Sequence, residues 1–406
     1  MLATLRQRNF ALLWWAGLIS VAGDWALIGA LPIYVYNLTG STLLTGAMFV
    51  AGFLPNLLIG SVAGVFVDRW DRKRIMVIAN SAQACGLLPL LVVHSPDRLW
   101  VVYLVFFGEA TLAQFFTPAA KATLPLLVDR ERLLEANALT ALNDNLARLV
   151  GPPLGGVVAG LLGLTGVVLV DVGSFAISGV MIATIVMKTH AHRPAGRASV
   201  TPSTAERAVW GEWVAGLRLI LRTRVVTVLV AILVIPQFGE GIFNVLFVVF
   251  VARVLHGGVV EIGWLMGAQA VGGLIGSVLT GALGWRIAPR RLVGWGALGF
   301  GFVLLAIFNT PRVAPAFAVS VVLFALVAVP GAGYIAGVDT LLQTAVPDQY
   351  RGRVVGTSST TSGLLRLGGM GCAAALGGLL GPVLVLNVDA IAYVTAGIVA
   401  LAAREL

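Results

Sequence analysis

The chain has 406 residues, of which 58% are hydrophobic and 11% charged, against roughly 45–50% and 25% in soluble domains. The apolar excess is more than a core can bury, so it excludes a soluble globular protein and places the chain in a bilayer. The net charge of +9 comes from cations between apolar segments, with no basic amphipathic tail; this argues for membrane topology and against nucleic-acid binding.

Met1 to Phe10 carries Arg6 and Arg8 ahead of an apolar run too long for a signal peptide and without a small-residue cleavage site, so it reads as a retained first helix. A span needs about 20 apolar residues. Turn and charge signals predict six in the first half, near 11–36, 42–67, 75–93, 99–121, 139–163 and 166–187. A hydrophilic stretch, 190–224, follows; its Arg/Pro/Ser/Thr-rich start and the run Trp210 to Arg222 suggest a cytoplasmic linker with a short surface helix. Six more spans follow near 225–251, 259–284, 292–308, 314–342, 354–379 and 381–402. The expected units are therefore an N-terminal six-helix bundle over 1–189, the linker, and a C-terminal bundle over 225–406.

With both termini cytoplasmic, only Arg98, Arg253 and Arg312 of the 27 Lys and Arg fall outside, and Arg148 and Arg366 fall within helices. The positive-inside rule then orients a multi-pass protein of a bacterial inner membrane. The 49 glycines lie within apolar runs such as Gly267 to Gly284, where they let helix backbones approach closely. Cys85 and Cys372 fall in apolar segments of different halves and support neither a disulfide nor a metal site. No cofactor is expected, and the chain is expected to act as a monomer.

The second half repeats the first. Arg148-Leu-Val-Gly151 matches Arg366-Leu-Gly-Gly369 and Asp171 matches Asp389, both 218 positions on; Gly64 to Arg74 matches Gly281 to Arg291, 217 positions on. Six helices per copy is an even number, so the copies enter from the same side as parallel repeats. The fold class is all-α membrane protein, twelve transmembrane helices in two pseudo-symmetric bundles.

Gly64 to Arg74 reads G-x-x-x-D-R-x-D-R-K-R between helices 2 and 3, and it resembles the signature loop of the major facilitator superfamily. That resemblance implies a conformational latch made by Gly64, Asp68, Arg69, Arg72 and Arg74, with Asp68 holding one state and the cations holding topology. A positive-inside loop alone would explain the cations but not the glycine and aspartate spacing. The second copy has Trp285 in place of Asp68, so the latch is expected in the N-terminal half.

In helix 5, Gly151-Pro152-Pro153-Leu154-Gly155-Gly156 resembles the antiporter motif of facilitator exporters. Proline removes a backbone hydrogen bond and glycines admit a close partner, so Gly151, Pro152, Gly155 and Gly156 are expected to form a hinge at the interface between halves. An ordinary kinked packing helix is the alternative. With the run Phe115 to Val128, these motifs are similar to the exporter branch containing macrolide efflux proteins and the enterobactin exporter. Export of a small amphiphilic drug or macrolide-like compound by alternating access, in exchange for protons, is what the resemblance implies. Siderophore export and lysophospholipid transport are alternatives on the same fold. Helix 4 has no arginine in Gly108 to Gln114, a departure from many proton-coupled relatives.

A charge at the bilayer centre costs at least about 2.5–3.5 kcal/mol on insertion scales, so intramembrane charges are functional candidates. Asp24 on helix 1, Glu109 on helix 4 and Glu240 on helix 7 lie near mid-membrane, on helices that line the cavity in the resembled fold. They are the candidate proton carriers, with satisfied packing acids as the alternative. Gln237, Asn244, Gln114 and Trp25, with Tyr34, Phe115, Phe238, Phe243, Phe247 and Tyr334, are candidates for lining an amphiphile's cavity. Asp171 and Asp389 are expected to be structural. Arg148 and Arg366 are expected to pair with Asp144 or loop acids, or with Asp339. No nucleotide-binding loop is present, which excludes an ATP-driven pump, and the four histidines fall at loops or helix ends, which argues against an intramembrane enzyme.

Overall fold

The computed structural model describes residues 2–67, 69–186, 224–312, 316–346 and 348–403. Asp68 and all of the expected linker except Arg224 lie outside them. In the N-terminal half the helices are α1 (Arg8–Thr39), α2 (Thr42–Val67), α3 (Arg72–Leu87, continued by the 3-10 turn Leu88–Val92) and α4 (Leu99–Leu127). The run Leu133–Ala183 follows as 51 residues of unbroken helical assignment. At ~1.5 Å per residue it would be about 77 Å long, more than twice the ~30 Å hydrocarbon core.

It does not run straight. Gly163 takes φ 67°, ψ −168° and reverses the chain, dividing the run into α5 (133–162) and α6 (164–183). Both outer ends return beside the N-terminus: Thr4 donates to Glu135 at 2.6 Å, Trp14 Nε1 donates to the Leu139 carbonyl at 2.7 Å, and Asn9 Nδ2 donates to the Val186 carbonyl at 2.8 Å. A Cβ at Gly163 would meet nothing within 4 Å, so the requirement is for backbone conformation alone. That φ/ψ region is essentially restricted to glycine. Gly163→Ala is expected to cost about 1–3 kcal/mol, read as a lowered melting temperature of the purified protein in detergent.

The C-terminal half has α7 (Arg224–Arg253), α8 (Val259–Leu283), α9 (Pro289–Asn309), α10 (Phe317–Ala345), α11 (Asp348–Leu380) and α12 (Pro382–Ala402). It repeats the first half down to its turns. Gly381, 218 positions after Gly163, joins α11 to α12 at φ 82°, and His256, 216 positions after Gly40, shares that residue's left-handed backbone. Lys73 Nζ caps the Ile185 carbonyl at 2.7 Å, and Arg290 Nη1 caps the Ala403 carbonyl at 2.9 Å in the equivalent place. Exposed Trp70 and Trp285 lie at the end carrying the termini, and exposed Trp100 and Trp264 near the far end, which is where tryptophan settles at membrane interfaces.

The halves meet along two seams, α2 against α11 and α5 against α8. Both seams are tight toward the far end. Gly46 faces Ala374 and Val245, Gly377 faces Thr42 and Leu246, and Gly156 faces Val259, Val260 and Gly263. Arg253 reaches across to donate to the Gly40 carbonyl at 3.3 Å and lies over the Tyr36 ring. One apolar core at this end, including Ile33, Tyr36, Val245 and Phe250, draws on both halves. Among the described residues, the buried clusters at the termini end each stay within one half. There Lys121, Asp144, Asp339 and Thr344 on α4, α5 and α10 are exposed. The molecule is closed at the far end and open at the end carrying its termini.

Candidate functional site

Halfway along the bundle each half carries the same three charged positions on the same three helices. In the C-terminal half they are Glu240 on α7, Arg366 on α11 and Asp389 on α12. Arg366 Nη2 lies 3.1 Å from Glu240 Oε1, each side chain about one-third exposed (31% and 32%). Asp389 is buried beside them, facing Gly239, where a side chain would collide with its carboxyl group. Tyr334 and Tyr393 pack edge to face next to the pair, with the Tyr334 hydroxyl donating to the Ile232 carbonyl at 3.0 Å.

The N-terminal half places Asp24 on α1, Arg148 on α5 and Asp171 on α6 at the corresponding positions, with Gly23 facing Asp171 as Gly239 faces Asp389. The helix crossings match as well. A Cβ on Gly151 would meet the Ala22 carbonyl at 2.6 Å, and one on Gly369, 218 positions on, would meet the Phe238 carbonyl, 216 positions after Ala22. The ion pair does not repeat. Arg148 lies over the Trp25 indole, its Cζ 4.9 Å from the ring centroid. Asp24 instead lies within electrostatic reach of Asp171 and Glu109. Gln83 of α3 stands next to Glu109, and Ser174 donates to Asp171 Oδ1 at 3.1 Å. One oxygen of Glu109 and one of Asp171 are buried without a partner among the described residues.

Trp25 also faces a cavity of about 90 Å³ where α1, α2, α7 and α8 meet, lined further by Phe49, Phe243, Phe247, Asn244 and Gln269. An aromatic lining with two amides gives apolar contact and a few directed hydrogen bonds. Asn244 donates to its own helix at the Glu240 carbonyl, 2.7 Å. Gln114 donates weakly to the Ala110 carbonyl at 3.4 Å and lies against Gly60 of α2. Gln237 is half-buried on α7.

A family model described as transmembrane secretion effector matches residues 1–405. The chain belongs to this family of major facilitator transporters, which are not enzymes. The multidrug efflux pump Tap of Mycolicibacterium fortuitum is 28% identical over 364 residues, covering 85% of this chain and 83% of Tap. A bacterial homologue of the iron transporter ferroportin in its inward-facing state superposes with a TM-score of 0.76 at 19% identity, covering 98% of each chain. An outward-facing structure of a bacterial ferroportin homologue, also at 19% identity and covering 98% of this chain and all of the other (100%), gives 0.59. These likenesses concern the fold.

Several expected roles change once the helices are placed. Arg366 takes Glu240 as its partner instead of Asp339, because α11 packs along α7 whereas α10 and α11 barely touch. Arg148 stacks on Trp25; Asp144, one helical turn away, is in electrostatic reach of it and of Lys121 but makes no ion pair with either among the described residues. Asp339 is exposed toward the termini end. Tyr34 leaves the central cavity for its own half, donating to the Val93 carbonyl at 2.8 Å.

The expected hinge divides between two partners. Gly151 and Gly155 face α1 of their own half, Pro153 and Gly156 face α8 across the seam, and Pro152 lies between, its side chain toward Gly29 of α1 and its carbonyl toward Gly263 of α8. In the signature loop, Arg72 donates to the Ala122 carbonyl at 3.1 Å at the end of α4, and Asp71 accepts from the Arg74 backbone N–H at 2.7 Å as the N-cap of α3. Arg69 is exposed and Gly64 lies in the last turn of α2. Arg72 and Lys73 thus tie helix ends within one half. The 216-position match of Gly23-Asp24 to Gly239-Glu240 was missed in the sequence, although an acid preceded by glycine in both copies was the signal that could have found it.

Proposed function

We propose that this protein is a secondary active transporter of a bacterial inner membrane, with both termini cytoplasmic, that exports a small amphiphilic drug-like or macrolide-like compound in exchange for protons. Alternating access would rock the halves 1–189 and 225–406 about their seams, with 190–224 as the cytoplasmic linker. The observation that carries the reading is the pairing of an aromatic and amide-lined cavity between the halves with buried carboxyl groups beside it. With the termini inside, the described state is open to the cytoplasm, where an exporter loads. The efflux assigned by name to Tap supports the direction of transport.

Among the candidate carriers, Glu240 is engaged with Arg366. Asp24 and Glu109 remain without a cation within ion-pair distance among the described residues, which makes them the groups able to take and release a proton. The test is transport of ethidium by proteoliposomes under an imposed pH gradient. Wild type is expected to drive uptake that collapses with the gradient. Asp24→Asn is expected to lose at least about 90% of gradient-driven uptake while keeping ethidium exchange without a gradient. Wild-type uptake indifferent to the gradient would overturn proton exchange.

A further inference from the structure

The two copies of the charged triad share their backbone crossing and differ in the residue that follows the acid of the first helix. Gly241 occupies the position that Trp25 occupies in the first half, and it lies against the Arg366 backbone, where no side chain fits. Arg366 lies over the Phe53 ring of the other half, its Cζ 5.8 Å from the centroid, and at the same time reaches Glu240 at 3.1 Å. Arg148 starts from an equivalent backbone position and is drawn onto the indole instead, by the attraction of a cation for an aromatic face. The C-terminal half thus displays a pairing open to the N-terminal half by side-chain rotation alone.

Resting on the proposed export function, we infer that the Trp25 indole is the cargo platform, that Arg148 occupies it when cargo is absent, and that a cationic amphiphile takes its place. Displaced from the ring, Arg148 pairs with Asp24 as Arg366 pairs with Glu240. The Asp24 carboxylic acid gives up its proton to the water of the open vestibule, and the carboxylate accepts an N–H from Arg148. One positive charge enters the site as cargo and one leaves as a proton, so the local charge is unchanged. A singly charged amphiphile with a flat or alkylated cationic group fits that balance, and the adjoining cavity faced by Phe49, Phe243 and Phe247 takes its apolar body.

The other groups facing this switch are Asp171 from α6 and Glu109 from α4 around Asp24, and Asp144 and Lys121 around Arg148. Asp171 and Glu109 lack a cation within ion-pair distance among the described residues, so a guanidinium arriving at Asp24 enters a region short of positive charge. Arg148 acts here as a positioning residue, setting the protonation of Asp24 without carrying the proton itself.

The test adds ethidium or tetraphenylphosphonium to the full-length protein in weakly buffered detergent, recording bound cation and released protons together. Wild type is expected to release about one proton per cation bound, with affinity weakening about tenfold for each pH unit below the release range. Arg148→Gln, with a wild-type melting temperature, is expected to bind at least as tightly, since the platform is vacated, and to release less than about one-fifth as many protons. Arg148→Lys should restore release, and Trp25→Leu should weaken binding at least about tenfold. Undiminished release from Arg148→Gln, or no binding of either cation to wild type, would overturn the inference. Gradient-driven export of another compound would still leave the proposed function standing, whereas gradient-independent transport would remove the function itself.

Discussion

A leucine at Gly155 is expected to eliminate the folded protein, and a leucine one residue on, at Gly156, to leave it folded and arrest its turnover. The Cβ alone at Gly155 would lie 2.5 Å from the Ala26 carbonyl oxygen, 2.7 Å from its Cα and 2.9 Å from its carbonyl carbon. All three are backbone atoms, so no rotamer change relieves the contact, and α1 and α5 would have to part. The cost should exceed the ~1–3 kcal/mol of an ordinary overpacked core, a large share of the ~5–15 kcal/mol that holds a typical protein together. At Gly156 the neighbours are Val259 and Val260 at 3.2 Å, both across the seam. A side chain there can be met by separating the halves, which disfavours the far-end closure that a cycle must revisit. Size-exclusion profile and melting temperature in detergent read the first effect, and ethidium transport by folded protein reads the second. A Gly155→Leu protein with wild-type melting would show that the α1–α5 crossing can yield.

The second large effect lies at the ion pair of the other half, and it is unequal for the two partners. Breaking a fully buried pair costs about 3–5 kcal/mol and an exposed one about 0–1 kcal/mol. Glu240 and Arg366, each about one-third exposed, should fall between. Arg366→Gln leaves Glu240 and the buried Asp389 in electrostatic reach of each other without the cation that pairs Glu240, whereas Glu240→Gln also removes the charge that repels Asp389. Arg366→Gln is therefore expected to cost about 3 kcal/mol and Glu240→Gln about 1–2 kcal/mol, with the double variant less stable than Glu240→Gln by clearly less than the Arg366→Gln loss. Melting temperatures of the three variants form the cycle that checks this. Glu240→Gln should also retain gradient-driven transport. Equal losses from the two single variants would show that the charge of Glu240 does not bear on Asp389.

The twelve spans were legible because about 20 consecutive apolar residues mean a membrane crossing whatever surrounds them, and the parallel repeat was legible because Arg148, Arg366, Asp171 and Asp389 keep one offset. Helix ends were less so: α4 continues to Leu127 and α5 starts at Leu133, since polar residues at the ends of a long membrane helix interrupt hydropathy without interrupting backbone hydrogen bonding. Side-chain partners were the least legible. Whether Arg366 meets Glu240 or Asp339 depends on which helices pack and on their rotation, which hydropathy does not encode. The departure of Arg148 from its counterpart goes with Trp25 standing where the second copy has Gly241, a difference visible in the sequence only once the copies are aligned on Gly23-Asp24 and Gly239-Glu240. Within the GPPLGG run, spacing alone did not separate the glycines facing α1 from the one facing α8.

The one-glycine turns at Gly163 and Gly381, and the two-residue link between α1 and α2, bear on how cargo would leave. Helices joined so tightly at the far end cannot spread apart there, so none of these three links can swing aside to make an exit port. In the proposed cycle, an aperture between these helices at the far end would be a slit along the seams, its width set by the angle through which the halves tilt. Such a slit admits long, thin molecules more readily than compact ones of equal volume, so the limit on exported cargo should be its narrowest cross-section rather than its mass.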